Sequence, residues 1–285
     1  MKGTSPLRIA TALVRFVRKI ATTQIGLIAA GVAFYTLLAM FPAIAALVAL
    51  AGLVTDPASV VDQLQTVTQL MPDQAALILL NQAQLVAGSS EGGLSVALWL
   101  GVGFAIYLST RGTTSLIHGL NVVRGRKEER GFFHFWAVVI LLTAAILFGS
   151  LVVILLMIGV PAALAYLPLD LETETLIRAV RWGVVALVVI VGLGVLYHWG
   201  PSGRPSRWVL LTPGSAIAGL LWFAGSYAFT FYVANIANYN QTFGSLGGVI
   251  VLLTWIWLSA FVVLLGALID AETGYPGERT DASGT

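Results

Sequence analysis

Three histidines, His118, His134 and His198, are the only imidazoles in this chain, and they stand far apart. No cysteine accompanies them, which removes disulfides, zinc–thiolate sites and iron–sulfur clusters. Metal nucleases gather His and Asp ligands around their ions, and no loop here gathers such a set. The sequence therefore assigns no catalytic residue, metal ligand or cofactor contact, and the expectation is a protein that is not an enzyme.

The remaining polar candidates are neutral or cationic. Asn235, Asn238, Tyr239, Asn240, Gln241 and Thr242 lie together, with Gly244, Gly247 and Gly248 directly after. Amides can bind a polar head group or a sugar. The simpler reading is a capped hairpin, with asparagine at a helix end and glycines allowing close packing. Arg111, Thr114, Ser115 and His118 share one helical face, and Asn121 continues that helix. Arg111 can hold a lipid phosphate or an anionic substrate; the plainer role is an anchor that snorkels to water. Asp270 and Glu272 could clamp onto Arg111, Arg204 or Arg207. Pro42 removes a backbone donor inside an apolar run. It either opens a cavity beside Phe34, Tyr35 and Thr36 or simply bends a membrane helix.

What must position these residues is set by composition. Of 285 residues, 58% are hydrophobic and 10% charged, against about a quarter charged in soluble domains. So few charges cannot build a wetted surface, so lipid must be the solvent for most of the chain. A helix needs about 20 apolar residues to cross the bilayer core. Six segments qualify, at 26–54, 94–110, 135–165, 182–199, 209–234 and 244–269, and none holds a Lys, Arg, Asp or Glu. Residues 1–24 contain no unbroken apolar core, so the first run reads as a retained span and not as a signal peptide.

The basic residues fix an expected orientation. All except Arg178 and Arg181 fall in the N-terminal segment, the second and fourth connections, or the C-terminal tail. Lys and Arg mark the cytoplasmic side, which places both termini in the cytoplasm. The same bias accounts for the pI near 9.0 without nucleic acid. Residues 5–21 are amphipathic, with Arg8, Arg15, Arg18 and Lys19 in one arc. They should lie on an anionic leaflet and make membrane lipids the expected partner. Residues 55–93 are too long for a bare loop and read as two short helices on the outer side, with a flexible break at 88–93. The expected domains are thus an interfacial helix (1–24), an all-α six-span membrane bundle (25–272) and a disordered tail (273–285).

Four blocks carry a resemblance. They are AAGVAFYTLLAMFPAIAALVALAG (29–52), STRGTTSLIHGLNVV (109–123), YHWGPSGRPSRWVLLTPGSAIAGLLW (197–222) and FYVANIANYNQTFGSLGGVIVLLTWIWLSAFVVLLGALIDAE (231–272). In this order they resemble the YihY/virulence factor BrkB family of bacterial inner-membrane proteins, over roughly residues 24–272. The resemblance implies a six-spanning fold at the inner membrane. Members were formerly labelled ribonuclease BN, and some have been proposed to act in transport; no catalytic residue carries over.

Three functions are open to such a chain. The first is transport or handling of a lipid or small polar solute. Ion-coupled carriers place charged groups within the bilayer, so a mid-membrane carboxylate relay is not expected. The second is a structural or partner-binding subunit that uses residues 55–93. The third, a ribonuclease, lacks a ligand set.

Overall fold

The computed structural model of the protein describes residues 14, 16–54, 91–161, 171–203, 211–235 and 246–273. Residues 16–22 are helical. Gln24 then takes a left-handed backbone (φ 51°), which ends this segment before the first long helix begins. The long helices are α1 (Ile25–Val54), α2 (Glu91–Val123), α3 (Phe132–Ile154), α4 (Leu171–Trp199), α5 (Pro213–Asn235) and α6 (Gly247–Thr273). A π-helical turn, Leu155–Gly159, continues α3. No strand occurs among the described residues.

Among the described residues five stretches are long and apolar enough to cross a membrane: Ile25–Ala43, Phe132–Met157, Glu172–Trp199, Pro213–Val233 and Gly247–Thr273. The second expected span, α2, is not among these five. Its part from Trp99 onward is diluted by Ser109, Thr110, Arg111, Thr113, Thr114 and Ser115. It is nevertheless one helix of 33 residues, and it runs well past the expected end at residue 110. Leu116, Ile117, Leu120 and Val123 are buried along it, and this packing carries the helix through the polar stretch. Other bounds shift as well. Glu91, Gly92 and Gly93 open α2 where a flexible break was expected. The fourth helix starts at Leu171 with Glu172 and Glu174 in its first turn, where opposite charge meets the helix dipole.

Large apolar side chains point outward from the long helices, including Trp99, Phe133, Leu141, Phe148, Leu176, Leu220 and Tyr227. Helices that are apolar all round need lipid or protein on every side. The fold is an all-helical membrane bundle.

The chain divides into two compact units. One comprises the residues up to Ile28, Leu116–Phe223 and the residues from Phe261 onward; the other comprises Ala29–Ser115 and Ala224–Ala260. In the first unit α3 packs along α4, and Ile25, Leu120, Val139, Val185, Leu196, Tyr197, Leu264 and Leu268 form the core. In the second, Ala33, Ala39, Ile256 and Ala260 are buried, and Gly112 lets α2 approach Tyr35 and Thr36 of α1. Residues 1–13, Arg15, residues 55–90, which were expected to form two short helices on the outer side, and residues 274–285 lie outside the described residues.

Candidate functional site

The first unit gathers its charges where α2, α4, α5 and α6 carry Asn121, Trp199, Gly214 and Asp270. The turn after α2 needs a left-handed residue, and Gly125 supplies it (φ 64°). The basic connection then folds back on the end of α4. Asn121 is buried at the hub. Its Nδ2 donates to Glu128 Oε2 (2.9 Å), and its Oδ1 accepts the Ser202 N–H (2.7 Å).

The guanidinium groups are spent on carbonyls. Arg124 donates to Tyr197 O (2.9 Å), and Arg126 donates to Ser202 O (2.6 Å). Arg130 donates to Gly200 O (2.8 Å) and Trp199 O (3.3 Å) and grips Glu128 with Nε and Nη2 (2.7 and 2.8 Å). The last carbonyls of any helix lack partners and carry partial negative charge; here arginines from another connection fill that place. Gly203 (φ 105°) has no side chain because Arg126 Nη1 would lie 2.5 Å from a Cβ there. The Arg130 hydrogen bonds hold the Glu128 carboxyl down at about 2, with Asn121 adding to the effect. Burial lowers the Arg124 guanidinium from its ordinary value, and Arg126 pushes the same way; Asp270 and Tyr197 oppose.

At the same end, α5 begins with a reciprocal cap. Ser215 N–H donates to Thr212 Oγ1 and Thr212 N–H donates to Ser215 Oγ, both at 3.0 Å, with Pro213 at the first helical position. Asp270 of α6 completes it. Its Oδ1 accepts the Gly214 N–H (2.7 Å), so a buried carboxylate meets the positive end of α5. Among the described residues its Oδ2 is buried without a hydrogen-bond partner. Gly214 and Gly266 make this approach possible, because a Cβ on either would run into the other's backbone oxygen. Tyr197 Oη donates to Val263 O (2.6 Å) and ties α4 to α6.

The second unit holds a smaller feature. Arg111 is exposed. Its Nε donates to Tyr107 Oη (3.2 Å), and its guanidinium carbon sits 5.2 Å from the centre of the Tyr107 ring. Tyr35 is half-buried and packs edge-on to Phe34.

The expected clamp by Asp270 and Glu272 has other partners. Asp270 caps α5, and Glu272 pairs with Lys19 (2.5 Å). Arg204 and Arg207 lie outside the described residues. Arg18 and His118 are exposed. α1 continues through Pro42 to Val54 without a break. Asn235 Nδ2 donates to Phe231 O one turn back (2.9 Å). Asn238, Tyr239 and Asn240 lie outside the described residues, as do Arg8 and Arg15. Sequence reasoning missed Glu128, Arg130, Tyr197, Ser202, Thr212 and Ser215. The Thr-Pro-Gly-Ser cap was readable; the long-range pairs have no local signal. Among the described residues no three His, Asp or Glu side chains come together as a metal site.

Comparison with known proteins gives a consistent picture. The profile of the family described as Virulence factor BrkB matches residues 16–284. A Bacillus subtilis (strain 168) protein named "Putative ribonuclease-like protein YfkH" is 32% identical over 248 residues, covering 85% of this chain and 87% of that relative. A "UPF0761 membrane protein" of Verminephrobacter eiseniae (strain EF01-2) is 27% identical over 261 residues, which is 87% of this chain but 58% of the relative. A protein of the same name from Albidiferax ferrireducens is 26% identical over 264 residues, with the same coverage of 87% and 58%. The chain thus spans little more than half the length of the latter two. No solved structure matches it.

Proposed function

Since the chain belongs to the virulence factor BrkB family and is a membrane protein, we propose that it moves or handles a lipid or small polar solute within the bilayer, without a carboxylate proton relay at mid-membrane. One observation carries this reading. Within the described long helices every acidic residue stands in a terminal turn: Glu91, Glu172, Glu174, Asp270 and Glu272. Proton-coupled carriers put such groups in the middle of spans. A passive path, or a groove for amphipathic molecules, needs none there.

The setting of this activity is part of the proposal. The chain sits in a bacterial inner membrane with the Arg124–Arg130 connection and both termini facing the cytoplasm, because Lys and Arg are retained on that side. Arg18, beside exposed Val14 and Val17, meets anionic head groups. The ribonuclease-like name of the Bacillus relative belongs to that protein. In this chain the arginines that would face RNA already serve the end of α4, and we assign it no cleavage chemistry.

The test is reconstitution of the purified full chain in liposomes, with dye-labelled lipids read for exchange between leaflets and trapped small solutes read for release. The expected result is a rate above protein-free vesicles in at least one assay. Rates equal to empty vesicles in both, with and without a gradient, contradict the proposal and favour a structural or partner-binding subunit.

A further inference from the structure

In the described long helices two exposed arginines stand away from the terminal turns, Arg111 and Arg178; Arg178 pairs with Glu174 (2.6 Å), whereas among the described residues Arg111 pairs with no carboxylate. It lies twelve residues before the end of α2 at Val123, about 18 Å along the helix axis. The next residue, Gly112, faces α1, where a Cβ would lie 3.6 Å from Thr36 Oγ1. The exposed residues before Arg111 on α2, Trp99, Leu100, Phe104, Ile106 and Tyr107, are apolar or aromatic. A guanidinium cannot shed its charge, and beside apolar surface it gains from an anionic partner that meets its fork.

The local geometry prepares it for an anion. Nε is fixed by Tyr107 Oη, and the Tyr107 ring supports the guanidinium face. Among the described residues Nη1 and Nη2 have no hydrogen-bond partner, so the two-pronged edge that matches a phosphate remains open. Tyr35 of α1, whose Cβ lies 3.8 Å from a Cβ position on the adjoining Gly112, brings a second hydroxyl.

We infer that Arg111, held by Tyr107 and assisted by Tyr35, binds a phosphate oxyanion, carried by a lipid head group or as a free phosphate. This rests on the proposed handling of a lipid or polar solute and gives that ligand its chemical class.

The test uses the full chain in neutral detergent. The readout is the rise in unfolding temperature with added short-chain phosphatidylglycerol, with diacylglycerol of the same chains, or with inorganic phosphate. Wild type should respond to phosphatidylglycerol or phosphate and not to diacylglycerol. Arg111→Gln should weaken the apparent affinity at least tenfold. Arg111→Lys, which keeps the charge and loses the fork, should fall between, and Tyr107→Phe should weaken binding several-fold. A response to phosphatidylglycerol alone identifies a lipid source; a response to inorganic phosphate alone identifies a free one. Should Arg111→Gln fail to fold, the Lys and Phe variants decide. Equal response to both phosphate probes in wild type and every folded variant overturns the inference, as does no response in wild type. Binding without any transport in liposomes would remove the functional reading and keep the site; transport unaffected by Arg111→Gln would do the reverse.

Discussion

Arg130 shows how a charge that reads as a topology signal becomes a structural part. Its side chain is only 9% exposed, and its donors are divided between Glu128 and the last carbonyls of α4. Glu128 is the titrating member of that pair. Its folded value is depressed to about 2 from 4.5, with the Arg130 hydrogen bonds as the main cause. A depressed carboxyl stabilises the fold fully above its unfolded value and loses that contribution as pH falls through the folded one. The acid limb of stability should therefore decline between pH 4.5 and about 2, by about 1 kcal/mol once solvent screening of a partly exposed carboxylate is allowed for. Glu128→Gln should flatten that limb in thermal unfolding scans from pH 6 downward, to about pH 2; an unchanged limb contradicts the assigned role. The sequence placed Arg130 and Asn121 near one end of α2. It could not pair them with Ser202 or Gly200, because those partners are set by which helix end packs beside the connection. Asp270 was read as a candidate contact, and its partner, an amide of Gly214 rather than an arginine, depends in the same way on packing between α5 and α6.

Among the elements, the approach of α5 to α6 is the tightest constraint. A Cβ at Gly266 would sit 2.5 Å from both Ala218 Cβ and Tyr197 Oη and 2.7 Å from Gly214 O. Backbone and a hydrogen-bonded hydroxyl cannot yield cheaply. Gly266→Ala should cost about 1–3 kcal/mol as overpacking and should loosen the Tyr197 bond to Val263 O. Gly149→Ala, in α3 with open space around it, should be neutral or slightly favourable. Unfolding temperatures of the two variants in detergent check this, and equal losses would count against the close-packed seam. Helix existence was legible from apolar run length; helix extent was not. The hydropathy of α2 fades at Arg111, yet the spacing of Leu116, Ile117, Leu120 and Val123 carries the helix on. A face buried against protein leaves a weaker signal than a run exposed to lipid.

For the molecule as a whole, composition decided the solvent, and solvent decided the fold: too few charges for water, long apolar segments, and helices as the structure that satisfies its own backbone in lipid. The alternation of basic and non-basic connections adds an orientation, and this is the claim on which the proposed function most depends. The chain has no cysteine, so single cysteines report without background. Lys127→Cys, exposed in the basic connection after α2, and Asp62→Cys, in the acidic connection before it, should be treated in intact bacteria with a membrane-impermeant maleimide. The account predicts labelling at 62 and none at 127 until the inner membrane is opened; labelling of both, or of neither, in intact cells would contradict it.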